Sequence, residues 1–278
     1  MSAVLKELQF AVPWGHLAAK AWGSAKGYPF LCLHGWQDNA NTFDRLIPLL
    51  PQDNYYVSLD FSGHGLSSHL PQGMRYQHLD YLTDVHRAIT ALGWKKFSIV
   101  AHSMGGVIAG MDFIQSKIVR ATVHFRELEG ATKAKVHTIE GAVQRLLSVN
   151  SALTADSAKL ILERGTTSVP GGVTFNRDIR VSVDIAFLLD ISSCLHIMKN
   201  ITADVHIILA TKGLTADLIR GIYTEHGQSL LTGYQDYLKE RFQLSVVDGN
   251  HFVHLNEPEK VAELVCKRLL NTNTFAKL

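Results

Sequence analysis

Cysteine is scarce: Cys32, Cys194 and Cys266 are the three in 278 residues. They stand far apart, odd in number and among apolar neighbours. That argues against a disulfide framework or a thiolate metal site, and for buried, reduced thiols in an intracellular protein. An excess of either charge is also missing. Lys and Arg number 27 against 25 Asp and Glu, a formal net charge of +2. The basic residues are scattered, so neither a nucleic acid nor a membrane surface is an expected partner. No apolar run is long enough to cross a bilayer. Met1–Glu7 has no basic segment leading into an apolar core, so no signal peptide is expected. There is no glycine-rich phosphate loop of the P-loop or dinucleotide type. What remains, 46% hydrophobic and 19% charged residues, suits one sizeable domain with room for an inserted subdomain.

The stretch that organises the rest is Phe97 to Gly110. A short apolar run ends at Ala101-His102-Ser103-Met104-Gly105-Gly106, and a proline-free apolar segment follows. This reads as strand, very tight turn and helix, with Ser103 at the tip. The pattern is that of a nucleophile elbow, G-x-S-x-G, with alanine at the first small position. Small residues are required because larger side chains beside the serine would collide with the strand and helix that the turn joins.

Around it, strand and helix patterns alternate. Two strands are read between Glu7 and Ala21, then the buried-type run Pro29–Leu33. A helix is read over Asn41–Leu50, a strand over Tyr55–Asp60, and a helix over Tyr76–Leu92 stopped by Gly93. From about Val136 to Leu189 the segments look helical, with Arg145, Lys159 and Arg164 read as solvated. Val205–Ala210 resumes the strands, Tyr234–Phe242 is read as helix, Leu244–Val247 as strand, and Pro258–Leu270 as a closing helix. The expectation is an α/β fold with a mostly parallel sheet, helices on both faces, and a helical cap over about 126–200 within a single domain 1–278.

Three loops leave carboxyl ends of strands: His34-Gly35-Trp36, Ser103 and Gly249-Asn250-His251. In an open α/β sheet that edge is where sites form. A serine hydroxyl needs a base to take its proton, and His251 is the candidate. An oxyanion needs backbone donors, and the N–H groups of Met104 and of Trp36 or Gln37 are the candidates. His34 is expected to pack beneath the oxyanion loop. Asp60 is expected to brace its neighbouring loops through hydrogen bonds.

Taken together, His34-Gly35-Trp36-Gln37-Asp38, Asp60-x-x-Gly63-x-Gly65-x-Ser67, the Ser103 elbow and Gly249-Asn250-His251 resemble the α/β-hydrolase superfamily. Leu162-Glu163-Arg164-Gly165-Thr166-Thr167, Phe175-Asn176-Arg177-Asp178 and His251-x-x-His254-Leu255-Asn256 are similar to the serine hydrolase-like proteins within it. The resemblance implies a Ser/His hydrolase of small acyl substrates that needs no metal or organic cofactor and works in the cytosol or peroxisome. A serine at the elbow tip argues against an epoxide hydrolase or haloalkane dehalogenase, which would place aspartate there.

The chain departs from the superfamily at two points. After the elbow helix, Ile118–Phe125 alternates like a strand with one wet face and is not followed by the usual aspartate. Lower stability than is usual for the fold is expected from it. The triad acid is open: Asp217 stands one residue late in the turn after Val205–Ala210, and Glu127 and Glu129 are the alternatives. These departures keep a non-catalytic binding protein in view as the second reading. The last residues, Ala276-Lys277-Leu278, are a conservative variant of the Ser-Lys-Leu address and imply the peroxisomal import receptor as a partner.

Overall fold

β1 (Lys6–Val12) and β2 (Gly15–Trp22) form an antiparallel hairpin, and β2 pairs antiparallel with β4 (Tyr55–Leu59). β3 (Pro29–Leu33) then lies parallel to β4 on one side and to β5 (Ser98–Ala101) on the other. The order is β1-β2-β4-β3-β5, so this sheet is mixed, with its parallel part around β3. The computed structural model describes residues 6–110, 135–178, 181, 195–196, 198–199, 201–214 and 224–272. It divides into two compact units: Met1–Asp44 with Gln52–Leu188, and Arg45–Pro51 with Leu189–Leu278.

In the first unit, strand periodicity decides what each face buries. Ala19, Ala21, Leu31, Leu33, Val57 and Leu59 project to one side. They pack against Tyr81, Val85 and Ala88 of α1 (His78–Leu92) and against Met104 and Ile108 of α2 (Met104–Gly110). α1 starts with a reciprocal cap between Gln77 and Asp80 and stops at Gly93, whose φ of 69° is left-handed. The other side carries Phe30 stacked on Tyr56, and Ser58, whose hydroxyl donates to Ala40 O. Lys20 also lies there, buried, with Nζ 2.9 Å from Asn41 Oδ1 and 2.6 Å from Asp44 Oδ1.

Three readings of the sequence change. Asn41–Leu50 is not one helix but two short 3-10 turns, Ala40–Phe43 and Ile47–Leu49. Pro48 supplies the reason: it has no N–H for an α-helical bond and its ring crowds the preceding turn. The cap region is helical as α3 (Ile139–Val149) and α4 (Ala155–Gly165), capped by Thr138 and Thr154. It then turns into a hairpin, β6 (Thr166–Val169) and β7 (Gly172–Phe175). β-Branched residues fill these strands, and Gly171 at φ 88° makes the turn. Arg164 is not solvated; it is 5% exposed.

In the second unit β8 (Val205–Lys212) and β9 (Phe242–Asn250) pair in parallel. α5 (Thr224–Leu238) precedes β9, and Tyr234 stacks on Phe242. A single helical turn, Val253–Asn256, leads from the His251 loop into α6 (Pro258–Thr272). Among the described residues no helix is long and apolar enough to cross a membrane.

Candidate active site

Ser103 sits between the end of β5 and the first residue of α2, with φ at 51°. A non-glycine residue in the left-handed region is strained, and such strain persists only where packing enforces it. The packing is specific. A Cβ on Gly105 would lie 2.2 Å from Leu33 O and 2.8 Å from His34 O, so α2 can start against β3 because Gly105 has no side chain. A Cβ on Gly35 would lie 3.0 Å from His102 Nδ1 and 3.3 Å from Ser103 Cβ. The His-Gly loop therefore runs directly beside the serine. Ser103 itself is exposed.

The histidines beneath that loop are structural. His34 is fully buried, donates through Nδ1–H to Gly35 O at 2.7 Å and accepts the Phe61 N–H at Nε2, 3.1 Å away. One ring nitrogen donates and the other accepts, which requires the neutral ring, and burial lowers its pKa to about 4. His64 repeats the arrangement. Its Nδ1–H faces Ser62 O at 3.1 Å, its Nε2 accepts the Gln37 N–H at 3.2 Å, and burial holds its pKa well below the usual histidine range. The Gln37 N–H is thereby engaged, with Gln37 at φ 61°. The N–H groups of Trp36 and Met104 have no hydrogen-bond partner among the described residues. The Trp36 ring does not fill the core: it is 45% exposed, and its Nε1–H donates to Val181 O at 2.8 Å.

Asp60 does brace the loops. Its Oδ1 accepts the Ala40 N–H at 2.7 Å, its Oδ2 the Leu66 N–H at 2.8 Å, and its carbonyl the Ser67 hydroxyl at 2.6 Å. A Cβ on Gly65 would fall within 2.2 Å of the carboxylate, which explains that glycine. The residue that sequence reasoning missed is Asp60's ionic partner. Arg164 Nε lies 2.8 Å from Asp60 Oδ2, and its NH1 contacts both Glu7 oxygens at 2.8 and 2.9 Å. The signal available for it was its place in the Leu162–Thr167 motif, not its helical periodicity.

In the second unit His251 follows β9. Asn250 Oδ1 shapes the loop by accepting the Phe252 N–H and the Asn256 amide, at 3.0 and 3.1 Å. His251 is half-buried, and burial lowers its pKa. His254 is buried with its pKa lowered to about 3, first by burial and then by the neighbouring His251. The turn after β8 passes close by: a Cβ on Gly213 would be 3.8 Å from His251 Cα. Ser103, Met104, Trp36 and Gln37 are thus gathered in the first unit, and His251 and the β8 turn in the second. Asp217, Glu127, Glu129, Ile118–Phe125, Cys194 and Ala276–Leu278 lie outside the described residues.

Residues 28–116 match the family described as alpha/beta hydrolase fold. Human serine hydrolase-like protein 2 is 39% identical over 303 residues, covering 97% of this chain and 96% of that protein. The zebrafish (Danio rerio) serine hydrolase-like protein is 36% identical, covering 95% and 88%. Among solved structures, a hypothetical protein from Pseudomonas aeruginosa PAO1 superposes with a TM-score of 0.79 at 27% identity, covering 94% of this chain and 97% of that one. With identity at this level running along almost the whole of both chains, the protein belongs to the serine hydrolase-like family of the α/β-hydrolase fold.

Proposed function

We propose that the chain hydrolyses an ester, thioester or related small acyl substrate, with Ser103 as nucleophile and His251 as base. The observation that carries this reading is Ser103 held at φ 51° at the tip of a strand–helix turn, beside the Gly35 loop and on the tight Gly105 contact. That is the geometry a nucleophile elbow requires. Two N–H groups flank the serine in sequence and on the neighbouring loop, those of Met104 and Trp36. An oxyanion hole uses donors of this kind. The engagement of the Gln37 N–H by His64 favours Trp36 over Gln37 as the second donor.

In this reading Ser103 Oγ attacks the acyl carbon and its proton passes to His251. His251 hands that proton to the departing alcohol or thiol as the acyl–heteroatom bond breaks, leaving an acyl-serine. Water then attacks the acyl-serine, giving its proton to His251. The imidazolium returns a proton to Ser103 as the acid leaves. The lowered pKa of His251 keeps it neutral and able to accept a proton near pH 7. The acid that orients it is Asp217 in this reading, which follows β8 in the sequence; the closeness of Gly213 to His251 supports that choice.

Steady-state hydrolysis of p-nitrophenyl butyrate and of a butyryl thioester tests the proposal. Ser103→Ala and His251→Ala are each expected to lower kcat at least about a thousandfold, and the double variant little further, because the pair acts as a unit. Turnover in Ser103→Ala equal to that of the unaltered chain would refute it.

A further inference from the structure

Apart from the serine, the first unit holds a recess between the oxyanion loop and the cap. The space in and in front of it is about 330 Å³ with open solvent included, of which about 20 Å³ takes the centre of a water-sized group. Leu146, Ile161 and Phe175 make its walls largely apolar, and Asp38 and Arg177 put charge-bearing groups into it.

Both polar groups keep atoms without a hydrogen-bond partner among the described residues. Asp38 is 6% exposed; its Oδ1 accepts the Asn39 N–H at 2.9 Å, whereas its Oδ2 is buried with no hydrogen-bond partner among the described residues. The Thr42 hydroxyl also donates to this carboxyl, but a buried carboxyl oxygen that keeps no hydrogen bond of its own costs free energy unless a ligand satisfies it or it carries a proton to give. Arg177 is half-buried and makes no hydrogen bond or ion pair among the described residues, with Asp38 or with any other acid. Burial first, and then the cation Arg145 on α3, disfavour its charged form. A guanidinium beside a like charge, in an apolar wall and with no ion-pair partner among the described residues, is arranged to receive an anion.

We propose that this recess binds the anionic end of the substrate, a carboxylate or phosphate, through the Arg177 guanidinium, with Asp38 Oδ2 in the same lining. Burial pushes the Asp38 carboxyl up to about 7, so it can hold a proton and donate rather than repel. Gln37 lines the recess, and the loop it belongs to borders Ser103 through Gly35. A substrate anchored at Arg177 would therefore extend along that loop. The proposal rests on the hydrolase reading only in treating the bound group as the end of a substrate.

The test has a binding arm and a turnover arm. In the first, calorimetry on the full chain carrying Ser103→Ala compares monoethyl glutarate, ethyl phosphate and neutral ethyl valerate. At least one anionic probe should bind ten- to a hundredfold more tightly than ethyl valerate, about the worth of a charge-assisted pair. Whichever anion binds more tightly identifies a carboxylate or a phosphate end. Arg177→Gln should abolish the preference with an unchanged Tm, and Arg177→Lys should keep part of it. In the second arm, the unaltered chain should show the same preference between p-nitrophenyl hemiglutarate and p-nitrophenyl valerate in kcat/KM. If neither ester is turned over, the hydrolase reading fails and the binding arm still decides this one. Equal binding of charged and neutral probes, no binding at millimolar concentration, or a preference that survives Arg177→Gln would overturn the proposal.

Discussion

Arg164 Nε stands 2.8 Å from Asp60 Oδ2, with the Arg164 side chain 4% exposed and that of Asp60 fully buried. One comes from the last turn of α4, the other from the end of β4. The pair joins the cap to the sheet beneath the oxyanion loop, and Glu7 closes it on the outside. Removing one member leaves a buried charge uncompensated, at a cost of about 3–5 kcal/mol. Arg164→Met and Asp60→Asn are each expected to lower unfolding free energy by that order. The double variant should recover part of the loss. Additive losses in a denaturant-unfolding cycle would show that the two groups are not coupled.

The glycines of the elbow make a second, sharper contrast. Gly105 faces the Leu33 and His34 carbonyls within 2.8 Å of where a Cβ would stand, whereas a Cβ on Gly106 meets nothing within 4 Å. Gly105→Ala should force α2 away from β3, costing about 1–3 kcal/mol or more and displacing Ser103. Gly106→Ala should be neutral or stabilising by about 0.5–1 kcal/mol, the helix-propensity gain. Thermal melts of the two variants check this; equal Tm values would contradict it.

Stability should depend on pH through groups of opposite sign. His34 has its pKa lowered from 6.5 to about 4. As pH falls below 6.5 the unfolded chain takes up the proton first, so stability present at neutral pH is lost between about 6.5 and 4, on the order of 3 kcal/mol. Asp38 is raised from 3.8 to about 7, so its contribution is complete below 3.8 and is lost as pH rises toward 7, on the order of 4 kcal/mol. Urea unfolding at pH 5 and pH 8 should therefore find that Asp38→Asn gains on the unaltered chain at the higher pH. His34→Gln should lose less than the unaltered chain on acidification. Curves parallel to that of the unaltered chain would refute both assignments.

Much of the fold could be read from pattern, and the failures have physical causes. Pro29–Leu33 is β3 as expected, because an apolar run of that length is buried on both faces. α1 ends at Gly93 because a left-handed cap needs glycine. His34 and Asp60 behave as motif logic implied. The misreadings occur where tertiary contacts overrule local pattern. Helical periodicity cannot show that Arg164 meets an acid 104 residues away. Apolar runs in the cap hid a hairpin that its β-branched residues and Pro170-Gly171-Gly172 signal when weighed together. Nor does sequence show that His64 engages the Gln37 N–H, since that bond follows from how two loops pack.

The tail gives a cellular prediction. Residues Thr274–Leu278, placed at the free carboxyl terminus of a cytosolic fluorescent protein, are expected to bring it into peroxisomes. Ala276-Lys277-Leu278 supplies the small residue, cation and terminal leucine of the address. A reporter that stays diffuse, as a Leu278→Ser control should, would sink the idea.

Under the proposed mechanism Ser103 is a nucleophile activated by His251. Fluorophosphonate labelling of the intact chain, with the modified peptide located by mass spectrometry, tests it most directly. A single adduct on Ser103 is expected, abolished by Ser103→Ala and formed at least about a hundredfold more slowly in His251→Ala. An unmodified Ser103, or labelling at the same rate without His251, would contradict it.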